Sequence, residues 1–255
     1  MKILALGDIV GVRMVEQLSR ELWALRKRLG VDCVVANGEN ATDIHGLSRE
    51  DAERLLDGGV DLLTSGNHIW GKRDLVPLLE EESRVLRPAN YPPAAPGSGY
   101  ATIDVCGWRM LCINVMGTVF TDQLADPFDT VEKILARESG SYDLALLDIH
   151  AEATAEKLAL ARVFDGRINI IFGTHTHVQT ADECILPRGT GYITDLGMCG
   201  PTDGILGTDA EAVIRKFRTH MPQKFTPAQG KLQLQGALFE LDGAMKVKKV
   251  ERVRI

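Results

Sequence analysis

Short apolar runs alternate with stretches of helical spacing through the first two thirds of the chain. The runs 2–7, 32–37, 60–64, 144–147 and 168–172 are too short for helices and end in polar or turn residues, which predicts buried strands. Gly173 is expected to end the last of them. Between the first two, Val15, Leu18, Leu22, Leu25 and Leu29 recur at i+3 and i+4 and predict a helix over 13–29. Ser48, with Asp51 three residues on, approximates a capping box and starts a helix that Gly58-Gly59 ends. Further helices are expected over 73–82, 129–138, 154–164 and 208–219.

Two other stretches read as hairpins. Residues 100–105 and 109–115 flank Cys106-Gly107-Trp108, and 232–241 faces 246–253. The Pro-, Ala- and Gly-rich stretch 88–99 lacks the length of an interdomain linker and reads as an ordered crossover. Residues 116–127 and the Gly-rich 196–207 read as loops, and 184–186 and 192–194 as short strands. Each half therefore runs from βα alternation into hairpin strands, with no internal repeat. The order fits an α/β fold, a four-layer αββα sandwich of two mixed β-sheets face to face with helices outside, built as one domain over 1–255.

The predicted strand ends carry metal-ligand residue types: Asp8, Glu39 with Asn40, Asn67 with His68, His150, and His175 with His177. In open α/β sheets, sites form beyond the carboxyl ends of strands, so these dispersed residues are predicted to meet on one edge. Each alone has a plainer reading: Asp8 as a turn cap, Asn67 as a left-handed turn residue, His150 as a helix cap. Their convergence favours metal. Three histidines, two carboxylates and two asparagines exceed one tetrahedral zinc and suit two ions sharing a bridging carboxylate. Two metals about 3.5–4 Å apart stabilise both the attacking and the leaving oxygen of a phosphoryl displacement. Mixed imidazole and oxygen ligands favour divalent or trivalent Fe or Mn, with Zn as a further option, over Mg or Ca.

Other polar residues have structural readings. His45 reads as a solvated loop histidine, and His220 lies at a helix end where the dipole is a sufficient explanation. Asp195, Asp203 and Thr118 read as turn formers. The basic run 246–254 reads as a solvated edge strand whose lysines discourage pairing with another chain.

Charge and composition narrow the partners. A net charge of −6 with no basic face argues against a non-specific nucleic-acid binder. An anionic phosphate must then be attracted locally, and bound metal would do this. No apolar run of about 18 residues occurs, and Asp8 arrives too early for a secretory signal, so neither a membrane partner nor export is expected. Five cysteines (Cys33, Cys106, Cys112, Cys184, Cys199) without CxxC spacing read as reduced core thiols of a cytoplasmic protein. Oligomeric state is left open, a homo-oligomer included.

In order, Gly7-Asp8, Gly38-Glu39-Asn40, Gly66-Asn67-His68, His150 and Thr174-His175-Thr176-His177 resemble the motif series of the calcineurin-like metallophosphoesterases, nearly end to end. Two departures narrow the resemblance. Asp8-Ile9-Val10 stands where that superfamily usually has Asp-x-His, and Glu39 follows Gly38 where it usually has Asp. With 148–154 and 173–180, these features resemble the YmdB-like branch, whose members are described as 2′,3′-cyclic-nucleotide phosphodiesterases. The Gly/Pro-rich turn and Arg of that branch are compressed here to Val12-Arg13-Met14, so Arg13 is assigned no phosphate role.

The resemblance implies a site. Asp8, Glu39, Asn40 and His177 would hold one metal, and Glu39, Asn67, His150 and His175 the other, with Glu39 bridging and Asn40 offsetting the missing histidine at position 10. His68 would not ligate; it would protonate the leaving oxygen or stabilise its charge. A metal-bridging hydroxide would attack phosphorus in line. The implied substrate is a small phosphodiester, a 2′,3′-cyclic nucleotide. A phosphomonoesterase, a nuclease acting on RNA ends, and a regulatory binding protein without turnover are the alternatives. Alternation at i and i+2 is expected to send His175 and His177 to different ions.

Overall fold

The computed structural model describes residues 1–43 and 45–255. The first half contains β1 (Lys2–Leu6), β2 (Asp8–Ile9), α1 (Val12–Leu29), β3 (Cys33–Asn37), α2 (Arg49–Asp57), β4 (Leu62–Thr64) and α3 (Leu75–Glu81). Next come β5 (Tyr100–Val105), β6 (Trp108–Met116), α4 (Pro127–Arg137), β7 (Leu144–His150), α5 (Thr154–Phe164) and β8 (Ile170–Thr174). The last third holds β9 (Cys184–Ile185), β10 (Gly191–Ile193), β11 (Met198–Pro201), α6 (Ala210–Thr219), β12 (Leu232–Gln233), β13 (Gln235–Leu241) and β14 (Val247–Arg254).

Two mixed sheets form. One has the order β14-β13-β1-β3-β4, with β1, β3 and β4 parallel and β13 and β14 antiparallel. The other has the order β5-β6-β7-β8-β10-β9, parallel from β6 to β10 with antiparallel edges. Strand alternation then sorts the apolar residues into layers. Ile3, Ala5, Cys33 and Val35 meet Cys112, Leu146, Ile170 and Phe172 between the sheets. Leu4, Leu6, Val34 and Ala36 face the other way, onto Val15, Leu18, Leu22 and Leu55 of α1 and α2. Leu111, Ile113, Leu147 and Ile171 face Val131, Leu135, Leu160 and Phe164 of α4 and α5. These three apolar layers separate helix, sheet, sheet and helix, the expected αββα sandwich. Both faces of the central strands are buried, which is why they read as unbroken apolar runs.

Several elements differ from the sequence-based expectations. A third, three-stranded sheet, β12-β11-β2, was not anticipated. The first strand ends at Leu6, and Gly7 separates β1 from β2; its backbone lies against Gly197, where an added Cβ would come within 2.1 Å of the carbonyl oxygen. The expected loop 196–207 contains β11, and the expected strand 232–241 is broken at Leu234. Gly173 lies inside β8 and does not end it. Helix α3 starts at Leu75, after a 3₁₀ turn at Ile69–Gly71. Ser48 caps α2 by accepting from the Asp51 backbone N–H, but its own N–H goes to Thr42, so the box is half formed. Cys33, Cys112 and Cys199 are buried, whereas Cys106 and Cys184 are exposed and are not core thiols. The basic run forms β14, an edge strand as expected. Among the described residues, no helix is long and apolar enough to cross a membrane.

Candidate active site

Parallel β1, β3 and β4 and parallel β6, β7 and β8 bring their carboxyl ends toward one edge of the sandwich. Asp8 follows the Gly7 break, Glu39 and Asn40 follow β3, and Asn67 and His68 follow β4. His150 is the last residue of β7, and His175 is the first beyond β8. Gly66 is essential to this meeting: a Cβ there would lie 2.1 Å from His150 Cδ2 and 2.5 Å from Glu39 Oε2.

His150 Nε2 is the hub. It lies 3.2 Å from Glu39 Oε1, 3.0 Å from Asn67 Oδ1 and 3.0 Å from His175 Nδ1. Ligand atoms of Glu39, His150 and His175 all fall within 4.8 Å of one another, a grouping able to hold a metal ion. At the same Glu39 oxygen, Asn40 Nδ2 is 3.1 Å from Oε1 and 3.3 Å from His177 Nε2. His177 Nε2 in turn is 3.7 Å from Asp8 Oδ1. Asp8 Oδ2 accepts from the His175 backbone N–H at 3.0 Å. Asp8 Oδ1 and Asn40 Oδ1 are buried with no hydrogen-bond partner. His68 is anchored by its backbone N–H to Glu39 Oε2 at 3.0 Å, and its ring Nε2 lies 3.2 Å from Asn67 Nδ2. All the predicted site residues therefore share one network. The His175/His177 separation, however, does not come from strand alternation. Both residues have left-handed backbones, with φ of 96° and 62°.

A layer of partners orients the imidazoles. Thr174 Oγ1 donates to Asp148 Oδ1 at 2.8 Å, so it accepts from His150 Nδ1 at 2.9 Å. That keeps a proton on Nδ1 and aims Nε2 at the cluster. Thr64 Oγ1 and Asn37 Nδ2 donate to Asp148 Oδ2 at 2.5 and 3.4 Å. His175 Nε2 is 3.1 Å from Glu152 Oε2, and His177 Nδ1 is 3.2 Å from Leu206 O. None of these supporting residues is identified as a site residue from the sequence. Asp148, Glu152 and Thr174 lie within the motif stretches and could have been found there. Asn37 and Thr64 carry no local signal, since each merely ends an apolar run.

The electrostatics follow from burial. Desolvation lowers the His150 pKa, but the charges of Glu39, Asp8 and Asp148 outweigh it and hold the imidazole above its usual range. Burial likewise opposes ionisation of Glu39, yet His150 and His68 hold its carboxyl below the usual range. Burial raises Asp8 and pushes Asp148 up to about 7. Desolvation, then the charge of His150, brings His175 down to about 3. Burial also lowers His68.

The remaining polar residues divide. His45 is exposed as expected, but its ring lies over that of His68 with centroids 4.1 Å apart. His220 is the left-handed C-cap of α6. Thr118 donates to Glu156 through both N–H and hydroxyl. Arg13 donates to the carbonyls of Gln229 and Gly230 at 2.7 and 3.3 Å. Asp203 is exposed. Asp195 is more than a turn former: it is fully buried and paired with Lys157 at 2.7 Å.

Comparison with known proteins places this geometry. A Bacillus subtilis protein named 2′,3′-cyclic-nucleotide 2′-phosphodiesterase is 40% identical over 256 residues, spanning all of this chain and 97% of that protein. The crystal structure of a hypothetical protein from Thermus thermophilus superposes with a TM-score of 0.94 at 39% identity, covering all of this chain and 99% of the other. That of a novel phosphatase from Mycoplasma pneumoniae gives 0.93 at 33% identity, covering all of this chain and 93% of the other. A family model described as YmdB-like protein matches residues 4–253. The chain belongs to the YmdB-like family, within the calcineurin-like metallophosphoesterase fold.

Proposed function

We propose that this protein is a metal-dependent phosphoric diester hydrolase that acts on 2′,3′-cyclic nucleotides with two metal ions. The observation that carries the reading is the pair of buried oxygens, Asp8 Oδ1 and Asn40 Oδ1, that no protein donor serves. Leaving a buried acceptor unserved costs about 1–3 kcal/mol, and more for a charged group. A cation between these oxygens and His177 would offset that cost. The donor set suits the role. Asp8, Asn40 and His177 would hold one ion, Asn67, His150 and His175 the other, and Glu39 would reach both. Imidazole mixed with carboxylate and amide oxygen suits Fe, Mn or Zn. When bound, such ions supply Lewis acidity toward phosphate oxygens and lower the pKa of the attacking water.

The chain's own residues supply orientation and proton transfer. Thr174 with Asp148, Glu152, and the Leu206 carbonyl engage the outward nitrogens of His150, His175 and His177, leaving the inward ones as donors. His68 is left for the substrate. Its backbone is tied to Glu39, and burial lowers its imidazole's affinity for a proton in the free site. An anionic phosphate beside it raises its affinity for a proton, which it can then pass to the departing ribose oxygen or use to stabilise the charge there.

The cyclic-nucleotide substrate draws on the name of the Bacillus subtilis relative. Phosphomonoester hydrolysis is the second reading, favoured by the Mycoplasma pneumoniae structure described as a phosphatase. Turnover on cyclic nucleotides, monoesters and short RNA separates them. Preference for the cyclic diester supports the proposal. Much faster turnover of monoesters contradicts it, and binding without any turnover favours a regulatory role.

A further inference from the structure

Lys157 breaks the pattern of its own helix. The buried face of α5 is Lys157, Leu160, Ala161 and Phe164, so a lysine occupies an apolar stripe at 1% exposure. A charge buried there requires a partner. Its Nζ lies 2.7 Å from Asp195 Oδ2. The same carboxylate oxygen accepts from Thr176 Oγ1 at 2.8 Å and from the Thr176 N–H at 3.2 Å. Asp195 Oδ1 accepts from the Gly197 N–H at 2.8 Å. The Asp195 backbone is tied to Thr180, donating to its hydroxyl at 2.9 Å and accepting from its N–H at 3.1 Å. The segment 176–180 is thus docked on Asp195 at both ends.

Thr176 is the middle residue of His175-Thr176-His177. Its two neighbours hold left-handed backbones, an arrangement that costs energy for non-glycine residues and persists only when the surroundings impose it. Gly173 belongs to the same construction. A Cβ there would lie 2.6 Å from Lys157 Cδ and 2.9 Å from its Cε. The same Cβ would lie 2.0 Å from the Thr194 carbonyl oxygen, so glycine in β8 serves the approach of that backbone as well as the passage of the lysine stem to Asp195. A buried ion pair is a weak stabiliser compared with apolar residues of the same shape, so stability alone does not account for one under this loop.

We propose that Lys157 and Asp195 form a positioning pair. They hold Thr176 down, so that His175 is set against His150 and His177 against Asn40 and Asp8, one toward each ion. The proposal rests on the two-metal reading above.

The test is the double variant Lys157→Met/Asp195→Asn. Each single change strands a buried charge and lowers thermal stability, whereas the double change removes both charges at similar volume and restores it. Equilibrium dialysis of metal-free protein against Mn(II) reads the site directly. The wild type is expected to take up about two ions per chain. The double variant, refolded to wild-type stability, is expected to bind one of them at least about tenfold more weakly. Wild-type affinity for both ions in a stable double variant overturns the positioning role and leaves the two-metal reading intact. Fewer than two ions on the wild type overturns both. Thr176→Val keeps the ion pair and removes the hydroxyl, which donates to Asp195 and accepts from the Val178 N–H at 3.4 Å. The same ion is expected to weaken there too, and unchanged uptake in that variant overturns the proposal even if the double variant does not fold.

Discussion

His68 and His175 lie in one hydrogen-bond network but are assigned different chemistry, and single substitutions separate them. His68→Ala is expected to keep both metals and lower kcat by about 10²–10⁴-fold, the usual range for a lost general acid. Undiminished turnover at full occupancy would remove that role. His175→Ala is expected to lose metal itself, read by elemental analysis; full occupancy there would contradict its assignment. The charge state adds a pH dependence. In the metal-free site, Glu39 and the other buried carboxylates hold His150 above its usual pKa, so it carries a proton that a metal must displace. Metal affinity should therefore weaken as pH falls, by up to about tenfold per unit below that raised pKa, with protons released on binding. A flat affinity between about pH 6 and 8 would contradict the charge assignment. The ligand-type residues were legible in the sequence because their side chains advertise metal chemistry. Thr64 and Asn37 were not, because their role exists only once β4 and β3 have been brought over Asp148.

Elements place these residues, and glycines set how closely the elements approach. Gly66→Ala would drive a methyl group into the His150 ring and Glu39. Its expected phenotype is loss of metal uptake with the sandwich still folded, checked by dialysis alongside far-UV circular dichroism. Normal uptake would mean that the β4 turn is not tied to the cluster. Leu146→Ala acts in the opposite manner. It empties part of the layer between the sheets and is expected to cost about 2–5 kcal/mol in denaturant unfolding, with metal occupancy kept. Long periodic helices and local hairpins were readable from the chain, as α1 and the β5–β6 pair illustrate. β11 was not, because its parallel partner is β2, with Met198 opposite Asp8, and no local pattern reports so distant a pairing. Nor was the role of Gly173. As a sequence signal it resembles a strand terminator, while in the fold it makes room for the Thr194 carbonyl and the Lys157 stem.

At the scale of the whole molecule, an acidic chain of net charge −6 gathers its candidate chemistry on one edge, where two mixed sheets end together. The layered architecture was legible because apolar runs buried on both faces, helices between them and terminal hairpins leave few ways to hide so much apolar surface. The supporting ion pair beneath the histidine loop was not, because its members lie far apart in sequence and meet only after α5 packs on β8. Long-range attraction does not favour an anionic substrate for such a chain, so capture is assigned to the metals, and the central claim is that there are two. Elemental analysis of purified, metal-replete protein tests this most directly. About two transition-metal ions per chain are predicted, with loss of both phosphodiester turnover and occupancy on chelation. One ion or none per chain under replete conditions would contradict the account.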